Sequence, residues 1–341
     1  MMLFKKLNKP YIIAEIGINH EGNYSIAKKL IIEAKKAGAD AVKFQVFKPD
    51  TLAIENSKKT NFQKKTSGKE NLSNIWKRVS LTFNSLRKLK NTAKKLKIDF
   101  ICTPFDFDSL KQIMKLNLSA IKVASSDITD IPLLSEIAKT QKPIILSTGM
   151  SNSNEISIAL KAIKTKNVAI LHCVSMYPCK YKQANLKRIL ALKKKFNQNV
   201  IGYSDHCKNF EASILALSMG AKIIEKHFTL DKNRKGLDHS LSADPNDLKV
   251  ICDFAKNMNY LYGKETINVS KKEKKSKKSF RKGIYFNNHI QKNHIISNED
   301  LIIRRPENKT KPKMYFKVIG KKAKKKYNLH DDVDIKYLKK V

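Results

Sequence analysis

Short apolar runs alternate with longer amphipathic stretches along most of the chain. In YSIAKKLIIEAKKAG, one of the amphipathic stretches, Ile26, Leu30 and Ala34 recur at four-residue spacing, which predicts a helix. Gly38 marks its end. The apolar runs are rich in β-branched residues and predict strands; they are YIIAEIG (11–17), DAVKFQVF (40–47), DFICTPF (99–105), AIKVASSD (120–127), PIILSTG (143–149), VAILHCVS (168–175), VIGYSDH (200–206) and AKIIEKHFTL (221–230).

Eight strand–helix units over about 250 residues match the usual size of a (β/α)8 TIM barrel, an α/β fold. A doubly wound open sheet would produce the same alternation, because periodicity does not reveal closure. The polar residues favour the barrel. Each run begins apolar and ends in polar side chains, and reactive groups gather at the carboxyl ends of barrel strands.

The alternation predicts a barrel domain over residues 1–263 and stops after it. The next segment, 264–279, begins KETINVSKKEKKSKK and predicts an exposed, charged linker. Residues 280–341 contain short strand-like runs, GIYF, DLIIRRP and YFKVIGKKA. They predict a small β-rich module, which is marginal alone and is expected to dock on another surface.

The charge of the chain points at first to nucleic acid. There are 69 Lys and Arg against 30 Asp and Glu, a formal net charge of +39. Only seven of these cations are Arg, although bidentate contacts to phosphates and base edges favour Arg. We interpret most of the lysines as solvated surface. A Lys-rich nucleic-acid-binding protein on an inert barrel remains the alternative; the leading interpretation has no nucleic-acid partner.

The cysteines and the apolar runs bear on location. The five cysteines are odd in number, widely spaced and without a CxxC pair, which favours a reducing, cytoplasmic setting. No run of about 18 apolar residues predicts a membrane helix, so no membrane association is expected. The basic N-terminus is not followed by the long apolar stretch of a secretory signal.

Two histidines end the seventh and eighth predicted strands. His206 and His227 are one βα unit apart, so neighbouring barrel strands would bring both imidazoles to one mouth, within reach of one divalent cation. The alternative is that each is an ordinary core histidine. Asp205, adjacent to His206, could orient that ring through a hydrogen bond.

Two lysines lie in otherwise apolar strands. An unpaired ammonium at Lys43 or Lys122 would be costly there, so we expect a buried anionic partner, although both could be rim residues of a Lys-rich protein. Glu15 and Asp127 supply carboxylates that could transfer protons or hold a water. Hydroxyls suited to a phosphate or carboxylate stand at neighbouring strand ends, at Thr103, Ser125, Ser147 and Ser204.

Several of these segments carry a family resemblance. IIAEIGINHEGN, AGADAVKFQVFKPDTL, TPFD, KVASSDIT, KPIILSTGMS, LHCVSMYP, GYSDHC and IIEKHFTLDK together resemble the sialic acid synthase family, the bacterial N-acetylneuraminate synthases and their relatives. The tail, with FRKGIYF and IIRRPEN, is similar to the C-terminal SAF (antifreeze-like) domain of that family. The match spans nearly the whole chain in the right order.

The resemblance implies an aldol-type condensation of phosphoenolpyruvate with an N-acetylmannosamine-type sugar, with release of phosphate. The product would be a nine-carbon 2-keto acid of the kind found in cell-surface polysaccharides. The acceptor could instead be a 2,4-diacetamido-2,4,6-trideoxy hexose, which would make the protein a legionaminate or pseudaminate synthase.

The resemblance also implies roles for the candidate residues. His206 and His227 would hold Mn²⁺, or Mg²⁺ or Co²⁺, to polarise the aldehyde of the open-chain sugar. Asp127, where the family often has Glu, would position or deprotonate a water. Phosphoenolpyruvate would be held by Lys43, Thr103, Lys122, Ser125, Ser147 and Ser204. The sugar would face Glu15, Gln45, Phe105, Tyr177 and Asp238. The residues expected to act in catalysis itself are Glu15, Lys43, Lys122 and Asp127.

Family members are domain-swapped homodimers in which the SAF domain caps the barrel of the partner subunit. On that likeness Arg305 would reach the N-acyl group of the sugar. The chain departs from the family pattern at Ser175, where relatives often have Asn or Thr, and at Leu237, where Pro is common. Its tail is also poorer in glycine than the usual SAF domain.

Overall fold

Eight parallel strands close into a barrel in the order in which they occur in the chain. The computed structural model describes residues 7–50, 52, 59, 64 and 70–340. The closed barrel confirms the predicted TIM fold and excludes the open doubly wound sheet. The strands are β1 (Tyr11–Gly17), β2 (Ala41–Val46), β3 (Asp99–Pro104), β4 (Ala120–Val123), β5 (Ile144–Ser147), β6 (Val168–Cys173), β7 (Val200–Asp205) and β8 (Ile223–His227).

Helices follow the strands and cover the outside of the barrel. In the first of them, Asn23 caps the amino end and Gly38, with φ of 99°, ends the helix where the sequence predicted. The helices of this unit are α1 (Tyr24–Ala37), α2 (Leu72–Val79), α3 (Phe83–Lys95), α4 (Phe107–Met114), α5 (Ile131–Lys139), α6 (Ser153–Ile163), α7 (Tyr181–Ala184), α8 (Arg188–Lys195), α9 (Glu211–Ser218) and α10 (Pro245–Tyr262). In the described part of the chain, no helix combines the length and apolar character of a membrane span.

Side chains alternate between the helix layer and the barrel interior, since successive strand residues point to opposite faces. Ile12, Ala14 and Ile16 of β1 belong to the large core beneath the helices. The amino-end half of the interior is a separate apolar plug made of Tyr11, Ile13, Ala41, Ile101, Ala120, Ile145, Ala169, Leu171 and Ile223. Toward the carboxyl ends, the interior positions become polar, as Glu15 and Lys43, paired in register across β1 and β2, illustrate.

The chain divides into two units, Met1–Gly263 and Lys264–Val341. The stretch predicted as a linker is not simply extended. Ser270 and Glu273 form a capping box that starts helix α11 (Lys271–Phe280), of which no residue is buried.

The rest of the second unit consists of short elements around a small apolar core. Strand β9 (Gly283–Phe286) pairs antiparallel with β10 (Leu301–Arg304), and β11 (Lys322–Ala323) pairs antiparallel with β12 (Leu338–Lys339). A one-turn helix, α12 (Tyr315–Val318), lies between the two pairs in the chain. The likeness of this unit to an SAF domain stays a prediction.

Candidate active site

A cavity of about 590 Å³ opens at the carboxyl ends of the barrel strands. It brings together most of the residues predicted from the sequence, because parallel strands converge at this end. The predicted residues that line it are Glu15, Lys43, Gln45, Thr103, Phe105, Lys122, Ser125, Ser147, Tyr177, Ser204, His206, His227 and Asp238.

A buried network of charges forms the floor of the cavity. Lys43 Nζ lies 2.8 Å from Glu15 Oε2 and donates a hydrogen bond of 3.2 Å to Thr103 Oγ1. Glu225 Oε1 lies 3.8 Å from the Nζ atoms of both Lys43 and Lys122. The side chains of all four charged residues are at most 6% exposed. The predicted lysines are therefore interior groups with carboxylate partners, and not residues of an exposed rim.

Burial and neighbouring charges act differently on the two lysines. Burial opposes the charge of Lys43, but the carboxylates of Glu15 and Glu225 outweigh it and raise the pKa of Lys43. For Lys122, burial dominates over the attraction of Glu225 and lowers the pKa. Burial also opposes the charge of Glu225, yet Lys122 and Lys43 outweigh it and lower the pKa of Glu225. An anion bound beside Lys122 would favour its charged form.

Glu225 is a charged cavity residue that the sequence-based set of site residues left out. It accepts a hydrogen bond of 3.0 Å from Ser204 Oγ and bridges the two lysines. A signal was present, since Glu225 precedes His227 by two positions on one strand and must share its face.

Two hydroxyls in the cavity have no hydrogen-bond partner among the described residues. They are Ser147 Oγ and Ser175 Oγ, which are both buried; such burial is costly unless a ligand satisfies them. Gly149 lies between the hydroxyls of Ser125 and Ser175, and a Cβ there would approach Ser175 Oγ to 2.3 Å. Ser175, a departure from the family pattern, thus lines the cavity with a free hydroxyl.

The two predicted histidines lie side by side, with ring centroids 5.3 Å apart. His206 Nδ1 is 2.8 Å from the carbonyl oxygen of Val174, so it donates there and leaves the lone pair on Nε2. His227 Nδ1 lies 3.3 Å from Asp238 Oδ2, and the Tyr177 ring packs 4.2 Å from the His206 ring. Neither ring is an isolated core histidine.

Asp205 does not orient His206 directly, and that prediction is wrong. Adjacent strand residues face opposite sides, so the Asp205 carboxylate points away from the cavity and lies 3.3 Å from Lys226 Nζ. It also accepts hydrogen bonds from Ser213 Oγ and the backbone of Cys207. This fully buried ion pair joins β7 to β8 behind the two histidines.

The donor set fits a cation held by two imidazoles. Within the described ranges, no group of three or more His, Cys, Asp or Glu side chains could hold a metal ion. A hydrogen bond to Nδ1 in one ring and the Asp238 carboxylate beside Nδ1 in the other favour Nε2 as the coordinating atom of both. Two such ligands leave positions for water and substrate oxygens.

Two predicted site residues do not line the cavity. Asp127 ends a short 3-10 helix and accepts a hydrogen bond of 2.9 Å from Ser126 Oγ, and its second oxygen is buried without a partner in the part of the chain that the structure describes. Burial, reinforced by the charge of Asp130, raises its pKa to about 6. Arg305 lies exposed in the second unit with its guanidinium 5.6 Å from the Phe280 ring. The roles of Asp127 and Arg305 stay predictions.

The chain is similar over nearly its whole length to known synthases. It is 39% identical to the N,N'-diacetyllegionaminic acid synthase of Campylobacter jejuni, covering 94% of this chain and 98% of that one. It is 34% identical to a pseudaminic acid synthase of the same species, covering 96% of both. A crystal structure of the N-acetylneuraminic acid synthetase of Leptospira borgpetersenii superposes with a TM-score of 0.68 at 33% identity, over 79% of this chain and 90% of that one. The model of the NeuB family matches residues 30–266, and the chain belongs to the NeuB family.

Proposed function

We propose that this protein is a nonulosonic acid synthase, which joins phosphoenolpyruvate to an open-chain N-acylated amino sugar and releases phosphate. One observation carries the proposal. A single cavity combines two buried lysines, Lys43 and Lys122, with free hydroxyls and with a pair of histidines. The lysines and hydroxyls suit a small anion, and the histidines suit a cation that polarises a carbonyl oxygen.

The lysines and serines would hold phosphoenolpyruvate. The free hydroxyls of Ser147 and Ser175 can each donate to a phosphate or carboxylate oxygen. Lys122 gains most from an anion, since burial lowers its pKa and the Glu225 carboxylate lies no closer than 3.8 Å. Gly149 keeps space between the hydroxyls for the ligand.

The histidines would hold a divalent cation such as Mn²⁺, which when bound supplies Lewis-acid polarisation of the sugar aldehyde. Val174 and Asp238 set the ring orientations that this requires. The Tyr177 ring packs against the His206 ring, with ring centroids 4.2 Å apart.

In the reaction, the C2=C3 π electrons of phosphoenolpyruvate form the bond from C3 to the aldehyde carbon, and the aldehyde oxygen takes up a proton. Water adds at C2, and the C2–O bond then breaks to release phosphate. A carboxylate must position this water and accept its proton. Glu15 and Glu225 line the cavity. Asp127, with its pKa raised to about 6 by burial, can exchange a proton near neutral pH.

Among acceptors, we favour the 2,4-diacetamido-2,4,6-trideoxy hexoses over N-acetylmannosamine. One side of the cavity is an apolar wall made of Ile18, Trp76, Phe105 and Leu237. Such a mainly apolar wall suits a methyl group at C6 better than a hydroxyl there. The similarity to the Campylobacter legionaminic acid enzyme points the same way.

The test is phosphate release from phosphoenolpyruvate with a panel of acceptors, with and without Mn²⁺. We expect cation-dependent release with N-acylated sugars, fastest with the trideoxy diacetamido acceptors. The control is His206→Ala, which should show no cation-dependent release. No turnover with any acceptor would refute the synthase, and a preference for N-acetylmannosamine would refute the acceptor class alone.

The expected domain-swapped dimer, with Arg305 contacting the N-acyl group in the partner subunit, can be tested by mixing. Arg305→Ala and His206→Ala subunits should each be impaired alone. Exchange of subunits should then restore activity, because one site of each mixed dimer would have an intact barrel and an intact cap. Failure of a mixture to regain activity after demonstrated exchange would count against the cap role of Arg305.

A further inference from the structure

The loop after β1 contains polar side chains that the cavity does not explain. It carries the motif INHEG (18–22), and the polar side chains of this motif do not line the cavity. Asn19 and His20 are nevertheless 2% and 1% exposed. Asn19 and Glu21 contact the end of β8 and the loop after it, and β8 is the neighbour of β1 in the closed barrel.

The two ends of the β8 loop, residues 229–243, are held together by backbone hydrogen bonds. Ala243 N donates 2.7 Å to the carbonyl of His227, and Thr229 N donates 2.9 Å to the carbonyl of Ala243. In between, the loop carries Asp238, whose carboxylate lies 3.3 Å from His227 Nδ1. The position of Asp238 therefore bears directly on the orientation of the His227 ring.

Asn19 is linked to the backbone of Asp238 by two consecutive hydrogen bonds. Its Nδ2 donates to Ser242 Oγ at 2.9 Å, and Ser242 Oγ donates to the Asp238 carbonyl at 2.6 Å. Asn19 Nδ2 also donates to the carbonyl of Phe228 at 2.9 Å. Ser242 is fully buried, and the low dielectric of such a site strengthens the chain of bonds.

Glu21 holds the residue that follows Asp238. Its Oε1 lies 3.0 Å from His239 Nε2, and its Oε2 accepts 2.8 Å from Arg234. His239 Nδ1 lies 2.7 Å from Thr229 Oγ1, so the buried ring is held at both nitrogens. We call the set Asn19, Glu21, His239 and Ser242 the β1–β8 clamp.

The backbone of both loops is shaped around this clamp. Glu21 has φ of 53°, an unusual conformation for a residue other than glycine. A Cβ at Gly22 would come within 2.2 Å of the Arg78 carbonyl, and one at Gly236 within 2.6 Å of His239 Cδ2. Left-handed conformations persist where surrounding contacts over-determine them, and the partners of Glu21 provide such contacts.

We propose that Asn19 and Glu21 are positioning residues that hold the Asp238 carboxylate against His227 during the synthase reaction. Neither side chain lines the cavity, so each acts through Asp238. The effect on turnover rests on the proposed function, whereas the effect on the β8 loop rests on the geometry alone.

The experiment compares Glu21→Ala, Asp238→Ala and the double variant. Glu21→Ala should lower kcat about 10- to 100-fold, as loss of an outer hydrogen-bond partner does at metal-ligand sites, with KM for phosphoenolpyruvate within about two-fold. The double variant should be no slower than Asp238→Ala, since both act on one group. Glu21→Gln should recover most of the rate, because its amide oxygen still accepts from His239. Glu33→Ala, which removes a surface ion pair of 2.9 Å on α1, is the matched control.

Additive losses in the double variant, or a Glu21→Ala rate equal to that of Glu33→Ala, would overturn the proposal. Amide hydrogen exchange tests the clamp without relying on turnover, so it separates failure of the clamp proposal from failure of the synthase assignment. If the wild-type protein turns over no acceptor, the synthase assignment fails and exchange at residues 237–243 decides the clamp. Faster exchange in Glu21→Ala than in Glu33→Ala supports it, and unchanged exchange refutes it.

Discussion

The two halves of the barrel interior share the same strands and have opposite chemistry. At the amino ends, side chains such as Ile13 and Ala120 form an apolar plug without charged groups. Two positions further along the same strands stand Glu15 and Lys122, as buried as the plug and charged. Residues two apart on a strand point to the same face, so the alternation that places Ile13 inside the barrel also places Glu15 inside.

The comparison separates what stabilises the fold from what serves the chemistry. The plug gains free energy from burial and packing alone. The charges of the mouth must be desolvated, and a buried ion pair is weak evidence of net stability. Lys122, whose pKa burial lowers despite Glu225, is least compensated among the four charges of the floor. We infer that the mouth retains these charges for ligands.

The largest effect should follow from removing an imidazole from the mouth. His206→Ala or His227→Ala should lower cation-dependent turnover by more than about 10³-fold, since each would leave the cation with a single ligand from the pair. The unfolding transition should remain cooperative, because the plug is untouched. Phosphate release with and without Mn²⁺ measures the turnover, and urea unfolding measures the cooperativity. Wild-type rates in either variant would refute the cation site.

Lys122→Met tests the role of charge in the mouth, because it keeps the apolar stem of the side chain and removes the ammonium. We expect kcat/KM for phosphoenolpyruvate to fall about 10²- to 10³-fold, the usual cost of losing one charge-stabilising donor. Trp76, the sole tryptophan of the chain, lines the cavity and can report phosphoenolpyruvate binding by fluorescence. Lys142→Met, on the surface, is the control, and equal affinity in both variants would contradict the anion site.

In the plug, the converse change should affect stability and leave chemistry intact. Ile101→Ala should lower the free energy of unfolding by about 2–5 kcal/mol through the cavity it creates, and Ile101→Val by about 0.5–1.5 kcal/mol. The turnover per folded molecule should stay that of the wild type. A fall in kcat without loss of stability would show that plug and mouth are not separable.

The smallest effect concerns Asp127, beside the mouth. Its pKa is raised from 3.8 to about 6, so the native carboxyl binds a proton more tightly than the unfolded one. The free energy of unfolding therefore falls as the pH rises from about 4 to about 6, and the full destabilisation is present above pH 6. Asp127→Asn should raise the free energy of unfolding at pH 7 by about 1–3 kcal/mol, with no gain below pH 4. Urea unfolding at both pH values tests the sign, and an equal gain at both would contradict it.

Local patterns were sufficient to predict the barrel and most of its mouth. The run 11–17 became β1 without change of bounds, and Glu15 lines the cavity, because hydrophobic alternation and strand-end position are local properties. Helix α11 was missed although Ser270 and Glu273 spell a capping box. The stretch was predicted to be a linker because its charge is high.

Other features depend on partners that no local pattern reveals. Glu225 gains its importance from Lys43 and Lys122, which lie on other strands. The contact between Glu21 and His239 joins positions 218 residues apart. Pairings at such distances are decided by how loops meet once the barrel has closed.

By itself, therefore, the sequence determined the βα repeat, the division between plug and mouth along each strand, and the family motifs, because these follow from the order of residue types. Only the tertiary structure decided that Asp205 faces Lys226 instead of His206, and that Asn19 and Glu21 contact Ser242 and His239 in the loop that carries Asp238. The physical reason is that a buried polar group must find a partner, and the folded geometry alone brings that partner within reach.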